Sequence, residues 1–210
     1  MEAAAGRDYL RPMSPPSRLV KQVFREQTER YGDTGHALTF DSSTLHGFTA
    51  LESVLVRVWP ADAEVDVTTF MTTGMSERTM PGSTLRAELH LGVRGSVDPE
   101  TTERVCRFLA GLAQEPWRSL RALDWGQVVE NAGRIPAFPH CSSVLLHPRF
   151  SSEGWDTFET TEQPVKLLFV VPIPESERRI VQERGLEALH AYWEQRGVDV
   201  LADRSALPSP

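Results

Sequence analysis

Four short segments in the first half of the chain alternate apolar or β-branched residues with polar ones. They read HALTF, SVLVRVW, VDVTTFMTT and TLRAELHLGV, over residues 36–40, 53–59, 65–73 and 84–93. Gly, Pro, Asp and Ser lie between them, as is typical of the turns that join strands. The pattern therefore predicts four consecutive strands, and it requires a fold that contains a β-sheet.

The fourth predicted strand separates its side chains into two kinds. Because successive side chains of a strand point to opposite faces of the sheet, every second residue shares a face. One face carries Leu85, Ala87, Leu89 and Leu91, and the other carries Arg86, Glu88 and His90. We expect the apolar face to be buried and the polar face to be solvated.

Three amphipathic segments predict helices. The first follows Ser14 and Ser17 with Pro15 and Pro16 near its first turn, and Gly32 is its predicted end. Its apolar stripe comprises Leu19, Val20, Val23, Phe24, Gln27 and Tyr31. The second helix starts at the cap Asp98 with Pro99 at its first position, and the third runs from about Pro174 to Gln195 before Gly197.

Two further apolar strands, SSVLLHP and VKLLFVVPI, stand in the second half and are expected to be central and covered. Strands grouped early, with helices at the flanks and the end, favour an α+β fold with a mixed or antiparallel sheet flanked by helices. A chain of 210 residues suits one domain. We interpret residues 1–13 as a flexible arm, 14–203 as that domain and 204–210 as a flexible tail.

Composition excludes several classes of function. The formal net charge of −7 disfavours a protein that covers phosphates, so we predict no nucleic-acid partner. No window approaches the ~18 apolar residues of a membrane span, so we predict no membrane partner. Only Cys106 and Cys141 are present, too few for a disulfide framework, which favours a cytoplasmic location.

The ionisable residues give weak support for chemistry. No HxH or HExxH pair occurs, although Glu88 and His90 could join Asp66 in a metal site, and a solvated face is the commoner meaning of such a trio. Without GxGxxG or GxxxxGK we predict no cofactor, and we predict no metal and no catalytic residue. If the protein were an enzyme, Glu88, His90, Asp66 and His140 would be its catalytic candidates.

The segment TTGMSERTM, Thr72 to Met80, joins the third and fourth predicted strands. Gly74 permits the positive φ of a tight connection, and Met75 and Met80 could tuck under the sheet. Ser76 lacks a GxSxG elbow, which disfavours a nucleophile. The segment is therefore either a folded turn alone or a turn that also forms a rigid ledge beside a binding groove.

This segment resembles a motif of the Suppressor of fused family. Thr73-Gly74-Met75-Ser76, followed by Met80, is similar to the family's T-S-G-M-S-x-x-P-M, and Arg86, Glu88 and Leu89 are similar to the R-x-E-L that follows. LDWGQ, SSVLLHP and VKLLFVVPI come next in the family's order, so that the resemblance spans roughly His36 to Asp203. Thr79 departs from the family's proline, and Gln127 departs from its common histidine.

The resemblance implies a mixed α+β domain like the N-terminal half of the eukaryotic regulator, which binds a transcription factor by a peptide segment. It also implies a likeness to bacterial relatives thought to act as immunity proteins against secreted toxins. We therefore expect a non-catalytic domain that binds a protein or peptide, in bacteria a toxin domain that it neutralises. The expected contact residues are Thr73, Met75, Ser76, Glu77, Arg86, Glu88, Trp125, Gln127 and Trp155.

An extended partner could pair with an open strand edge, and the acidic charge of the chain favours a basic one. Two other functions remain open. One is an enzyme or accessory protein of peptide or secondary-metabolite biosynthesis with a polar pocket on the sheet. The other is a regulatory or dimerisation domain, and the chain is expected to be a monomer or a homodimer.

Overall fold

The computed structural model describes residues 15–34, 36–45, 47, 49–150 and 154–204. The predicted arm lies outside the described residues, as do Ser14 and the predicted tail beyond Arg204. The helices are α1 (Arg18–Tyr31), α2 (Pro99–Leu112), α3 (Glu115–Ser119), α4 (Glu175–Arg184) and α5 (Leu186–Arg196). The strands are β1 (Ala37–Asp41), β2 (Ser53–Trp59), β3 (Val67–Thr73), β4 (Ala87–Arg94), β5 (Val128–Val129), β6 (Ser143–His147), β7 (Thr157–Phe158) and β8 (Val165–Ile173).

All eight strands form one sheet in the order β1-β2-β3-β4-β8-β6-β5, with β7 paired to β8. Neighbours are antiparallel except β4 and β8, which are parallel with Leu89 opposite Leu168. The parallel pair joins the first four strands to those of the second half. The predicted α+β class and mixed sheet flanked by helices are therefore confirmed.

Helices cover both faces of the sheet. On one face, α2 buries Val105 and Leu109 against Phe70 and Leu89. On the other, Leu19 and Val23 of α1 pack with Met71, Trp59 and Leu167, while Leu189 and Trp193 of α5 pack with Leu145 and Ile173. The expectation that Glu88 and His90 lie on a solvated face is wrong, because both side chains are buried beneath the second layer of helices.

The predicted first and second helices form with the predicted caps. Ser17 Oγ accepts a hydrogen bond from the Val20 N–H, and the Asp98 carboxylate accepts one from the Thr101 N–H. Phe24 departs from prediction, because its side chain is 41% exposed although it belongs to the apolar stripe of α1. It lies at the border of the stripe, where α1 no longer covers the sheet.

The predicted last helix is two helices. Gly185 has φ 86° and ψ 171°, a conformation outside the helical region that glycine adopts readily, and it ends α4 and begins α5. The break reorients the chain so that α5 packs on β6 and β8. Gly197 ends α5 as predicted. No helix in the described part of the chain is long and apolar enough to cross a membrane.

Candidate functional site

The carboxylate of Glu88 organises the loop between β3 and β4. Glu88 is fully buried, and its oxygens accept hydrogen bonds from the backbone N–H groups of Gly74, Met75 and Ser76 at 2.9, 3.3 and 3.0 Å. The hydroxyls of Ser76 and Thr72 donate two more, at 2.6 and 2.7 Å. Five donors therefore surround one carboxylate and tie the loop to β4.

This arrangement makes Glu88 a structural anion. Burial raises the pKa of its carboxyl group, and the hydrogen bonds from Ser76, Thr72 and Gly74 act in the opposite direction. A carboxylate offers about four lone-pair sites, so five donors leave none for a substrate or a metal. The buried charge is stabilised by donors of the loop itself rather than by a cation.

Gly74 sets where the loop lies. Its φ of 117° is left-handed, and a Cβ added there would lie 3.0 Å from the carbonyl oxygen of Ser53. The loop therefore rests directly on the first residue of β2. Met75 and Met80 are buried in the core, as the sequence indicated, so the segment is a rigid folded turn.

An open groove of about 980 Å³ lies beside this turn, between α1 and the outer strands β1 and β2; we call it the edge groove. One wall is the outer side of α1, the floor is the face of β2 and β1, and the turn closes one end. Its lining comprises Pro15, Pro16, Val20, Lys21, Phe24, Arg25, Thr28, Thr39, Ala50, Leu51, Glu52, Ser53, Leu55, Thr73, Gly74, Glu77 and Arg78.

The outer strand of the sheet forms one border of the edge groove. Among the described residues, β1 pairs only with β2. The Val58 N–H donates to the His36 carbonyl, and the alternation of an antiparallel ladder then directs the backbone groups of Ala37 and Thr39 away from β2. Both residues are exposed, so their N–H and C=O groups are available to another strand.

Some of the predicted binding residues of the turn line the edge groove, and others are buried beneath the residues that line it. Thr73 and Glu77 line the edge groove. Met75 and Ser76 are buried beneath the surface with Glu88. Arg86 donates a hydrogen bond from Nη1 to the Ser76 carbonyl at 2.6 Å, and so supports the turn from behind.

The other predicted binding residues lie away from the edge groove. Trp125 donates from Nε1 to the Leu167 carbonyl, and Gln127 accepts a hydrogen bond from the Asp124 N–H, in the half of the sheet formed by β8 and β6. Trp155 packs against Tyr31 and Phe158. Trp125, Gln127 and Trp155 therefore do not line the edge groove.

The catalytic candidates do not converge. Asp66 precedes β3 beside Arg94, whereas Glu88 stands six residues from Arg94 on the same strand, which at 3.3 Å per residue is about 20 Å. His140 pairs with the exposed segment at Asp203. In the described part of the chain, no three His, Cys, Asp or Glu side chains are grouped so that they could hold a metal ion.

His90 is a buried histidine within the sheet layer. Its Nε2 lies 3.4 Å from the hydroxyl of Tyr31, and its ring stacks obliquely on Phe169 at 4.4 Å. Desolvation lowers the pKa of its imidazole to about 4, so the ring is neutral near pH 7. The neutral ring packs between the aromatic side chains of Tyr31 and Phe169.

The sequence reasoning missed the α1 wall of the edge groove. The apolar stripe predicts Phe24 as a core residue, and Lys21 and Arg25 lie outside that stripe. The width of the apolar stripe on α1 indicated this wall. Phe24 makes the stripe wider than the part of α1 that packs on the sheet, so that Phe24 stays exposed. The segment HALTF also indicated an outer strand, because only one of its two alternating sets of side chains is strongly apolar.

Comparisons with known proteins agree on the fold. Residues 50–203 match the family model described as Suppressor of fused protein (SUFU). A search of curated protein sequences gives no significant match.

Solved structures similar to the chain include the crystal structure of a SUFU homologue from Neisseria gonorrhoeae, with TM-score 0.67 and 15% identity over 89% of this chain and 94% of that one. A chain of a Sufu–Fu complex gives TM-score 0.61 and 13% identity over 88% of each chain. Drosophila Suppressor of Fused gives TM-score 0.56 and 11% identity over 88% of this chain, which spans 48% of that protein.

Proposed function

This chain belongs to the Suppressor of fused family, and from that premise we propose that it is a non-catalytic domain that captures a protein partner by an extended segment laid in the edge groove. The segment adds a strand beside β1, and its side chains enter the space between α1 and β2. Main-chain hydrogen bonds supply affinity in this mode, and the groove selects side chains.

The observation that carries the proposal is an edge strand, β1, whose outer side has no partner among the described residues and which borders an open, mostly apolar groove. The outward N–H and C=O groups of Thr39 offer two main-chain hydrogen bonds, and the side chains of Phe24 and Leu55 offer an apolar surface. Phe24 is exposed although it is large and apolar, as a docking surface requires. The rigid turn held by Glu88 fixes the end of the groove before any partner binds.

We propose a toxin domain as the partner, neutralised within the bacterial cytoplasm. This finer assignment is supported by the resemblance to bacterial relatives, and by two buried cysteines that form no disulfide, which suit a reducing compartment. Co-expression of the chain with toxin domains encoded beside it tests the assignment. Survival of cells that produce both proteins, with recovery of a complex, is the expected result.

The two alternative functions have less support. The separation of Asp66, Glu88 and His140 favours binding over an enzyme, since catalysis needs convergent groups. A dimerisation domain would use the same edge of β1 against a second copy of the chain. Light scattering distinguishes that case, because a homodimer through β1 would block the edge groove for other partners.

Thr39→Pro tests the binding mode. Proline removes the outward N–H of Thr39 without removing a hydrogen bond to β2, so the fold is retained while strand addition is weakened. Loss of one main-chain hydrogen bond of about 1.4 kcal/mol corresponds to about tenfold weaker binding. Affinity is measured by isothermal titration with the partner recovered in a pull-down.

Thr39→Val is the matched control, since it keeps the N–H and changes only the side-chain hydroxyl. The control should bind the partner like the wild type, and circular dichroism should show both variants folded. Equal affinity of the folded proline variant, or turnover of a small metabolite by the wild type, would contradict the proposal.

A further inference from the structure

We infer that the segment held in the edge groove is acidic, with an Asp or Glu side chain facing α1 and a large apolar side chain two residues away. This inference rests on the proposed function and adds the chemistry of the partner. It reverses the expectation of a basic partner, which came from the net charge of the whole chain.

The α1 wall of the edge groove carries two positive charges. Lys21 and Arg25 line the groove, are exposed, and stand one helical turn apart on the same face of α1. Neither forms an ion pair with a described residue. Like charges at this spacing disfavour each other, and an anion between them removes the repulsion.

A third positive charge lies behind Phe24. The guanidinium of Arg57 is 1% exposed, stacks 4.0 Å from the Phe24 ring, and donates from Nη1 to the Phe24 carbonyl. Its Nη2 has no hydrogen-bond partner among the described residues. The same Nη2 forms an ion pair with Asp33 Oδ1 at 3.6 Å, and because the Asp33 side chain is 85% exposed, water screens that pair.

The buried guanidinium adds to the potential of the groove. A charge in a low-dielectric interior is screened less than one in water, so the field of Arg57 reaches the groove past the ring of Phe24. Arg57 does not line the groove, however, and its Nη2 faces Asp33. An acidic guest side chain beside Phe24 would therefore contact Lys21 and Arg25, and Arg57 would add attraction only at longer range.

Two acidic residues, Glu52 and Glu77, also line the groove, and Glu77 lies at the start of α1, about one helical turn before Lys21. Glu77 accepts a hydrogen bond from the Ser17 N–H at 3.4 Å, and Arg78 donates one to the Ala50 carbonyl at 2.6 Å. Glu52 precedes β2. The charged lining residues at the turn thus include both signs, whereas the two charged lining residues of α1, Lys21 and Arg25, are both positive.

Strand geometry sets the spacing of the guest's side chains. Alternate residues of an added strand face the groove, so an apolar residue against Leu55 and Phe24 is followed by a groove-facing residue two positions away. That second residue meets the α1 wall. The partner segment should therefore read apolar-x-acidic, and complementary charge makes its binding weaken as salt increases.

The test is selection from a random 12-residue peptide library displayed on phage, with the wild type and with Thr39→Pro as bait. We expect peptides selected by the wild type alone to be enriched in Asp and Glu with the apolar-x-acidic spacing. A selected peptide, made synthetically, should bind Lys21→Glu/Arg25→Glu at least tenfold more weakly than the wild type.

Arg18→Glu/Arg121→Glu is the matched control, because it makes the same change of net charge at exposed positions outside the groove. This control should keep the wild-type affinity to within about twofold. Equal weakening of both double variants would overturn the placement of the acidic side chain, because only the net charge would then matter.

The outcomes separate this inference from the proposed function. Selected peptides rich in Lys and Arg, and still dependent on Thr39, would overturn the acidic partner while leaving strand capture in place. Selection of the same peptides by the wild type and Thr39→Pro, or no selection by either, would overturn strand capture itself.

Discussion

At the scale of single residues, Glu88 shows how one buried carboxylate shapes a surface groove that it does not line. Its five hydrogen bonds hold Thr72, Gly74, Met75 and Ser76 in place. The exposed neighbours Thr73 and Glu77 are consequently fixed at the end of the edge groove. The segment that contains Ser76 is a rigid folded turn at the end of the edge groove.

Glu88→Gln should destabilise the fold by about 2–4 kcal/mol. The amide nitrogen of glutamine donates hydrogen bonds and would face backbone N–H groups, which leaves buried donors unpaired. The free energy of unfolding in urea measures the loss. Glu29→Gln, on the exposed face of α1, is the control and should change stability by less than about 0.5 kcal/mol. A stable Glu88→Gln protein would mean that the turn does not depend on the carboxylate.

His90 should make stability depend on pH. Desolvation lowers the pKa of His90 to about 4 in the folded chain, below its ordinary value of 6.5, so the unfolded chain binds the extra proton first. Stability is then highest above pH 6.5 and falls as pH decreases towards 4, by up to about 3 kcal/mol at 1.36 kcal/mol per unit.

Urea unfolding at a series of pH values between 7 and 4 measures this dependence. His90→Gln should flatten the slope across that range, because glutamine does not titrate. His147 also has a lowered pKa through burial, so part of the slope should remain in the variant. A variant with the full wild-type slope would show that His90 is not the group responsible.

At the scale of elements, α1 both covers the sheet and forms a wall of the edge groove. One buried polar residue fixes it: Gln27 donates from Nε2 to the Thr72 carbonyl and accepts at Oε1 from the Thr73 hydroxyl, each at 2.8 Å. Gln27 therefore links the helix to β3 immediately before the turn.

Gln27→Ala should loosen α1 selectively. The substitution leaves the Thr72 carbonyl and the Thr73 hydroxyl without their partner in a buried place, at a cost of about 2–4 kcal/mol. Hydrogen exchange followed by mass spectrometry should show less protection in α1 and little change in α2. Glu29→Ala on the same helix is the control, and equal protection of α1 in both variants would contradict this role.

At the scale of the whole molecule, the parallel pair of β4 and β8 unites two sets of antiparallel strands, and the end of the described chain closes over them. The Arg94 N–H donates to the Leu201 carbonyl, and the side chain of Leu201 lies against Gly92. Arg204 then forms a buried ion pair with Glu177, at side-chain exposures of 12% and 3%.

Arg204→Ala should cost about 3–5 kcal/mol of stability, because it leaves the Glu177 carboxylate buried without its partner. Arg94→Ala is the control, since its pair with Asp199 is exposed on both sides and should contribute less than about 1 kcal/mol. Thermal and urea unfolding measure both. Adding Glu177→Gln to Arg204→Ala should recover part of the loss, and no recovery would argue against the buried charge as its cause.

The first two long helices and the longer strands were predictable because their signals are local, whereas α3, β5, β7 and the break at Gly185 were not predicted. Ser17 and Asp98 cap the helices they precede, and period-two patterns in residues 53–59 and 84–93 mark strands in any context. The resemblance carried by Thr73, Gly74, Met75 and Ser76 identified the family, and the α+β class followed from the order of elements.

Tertiary structure alone decided which faces are covered and where the groove lies. Burial of Glu88 and His90 depends on α1, which lies more than fifty residues away in sequence, and the exposure of Phe24 depends on where α1 stops covering the sheet. The alternation of side chains along a strand shows which residues share a face of the sheet, but it does not show which element packs on that face. Because burial and electrostatic potential are sums over residues distant in sequence, local patterns could not place Lys21, Arg25 and Arg57 beside one groove.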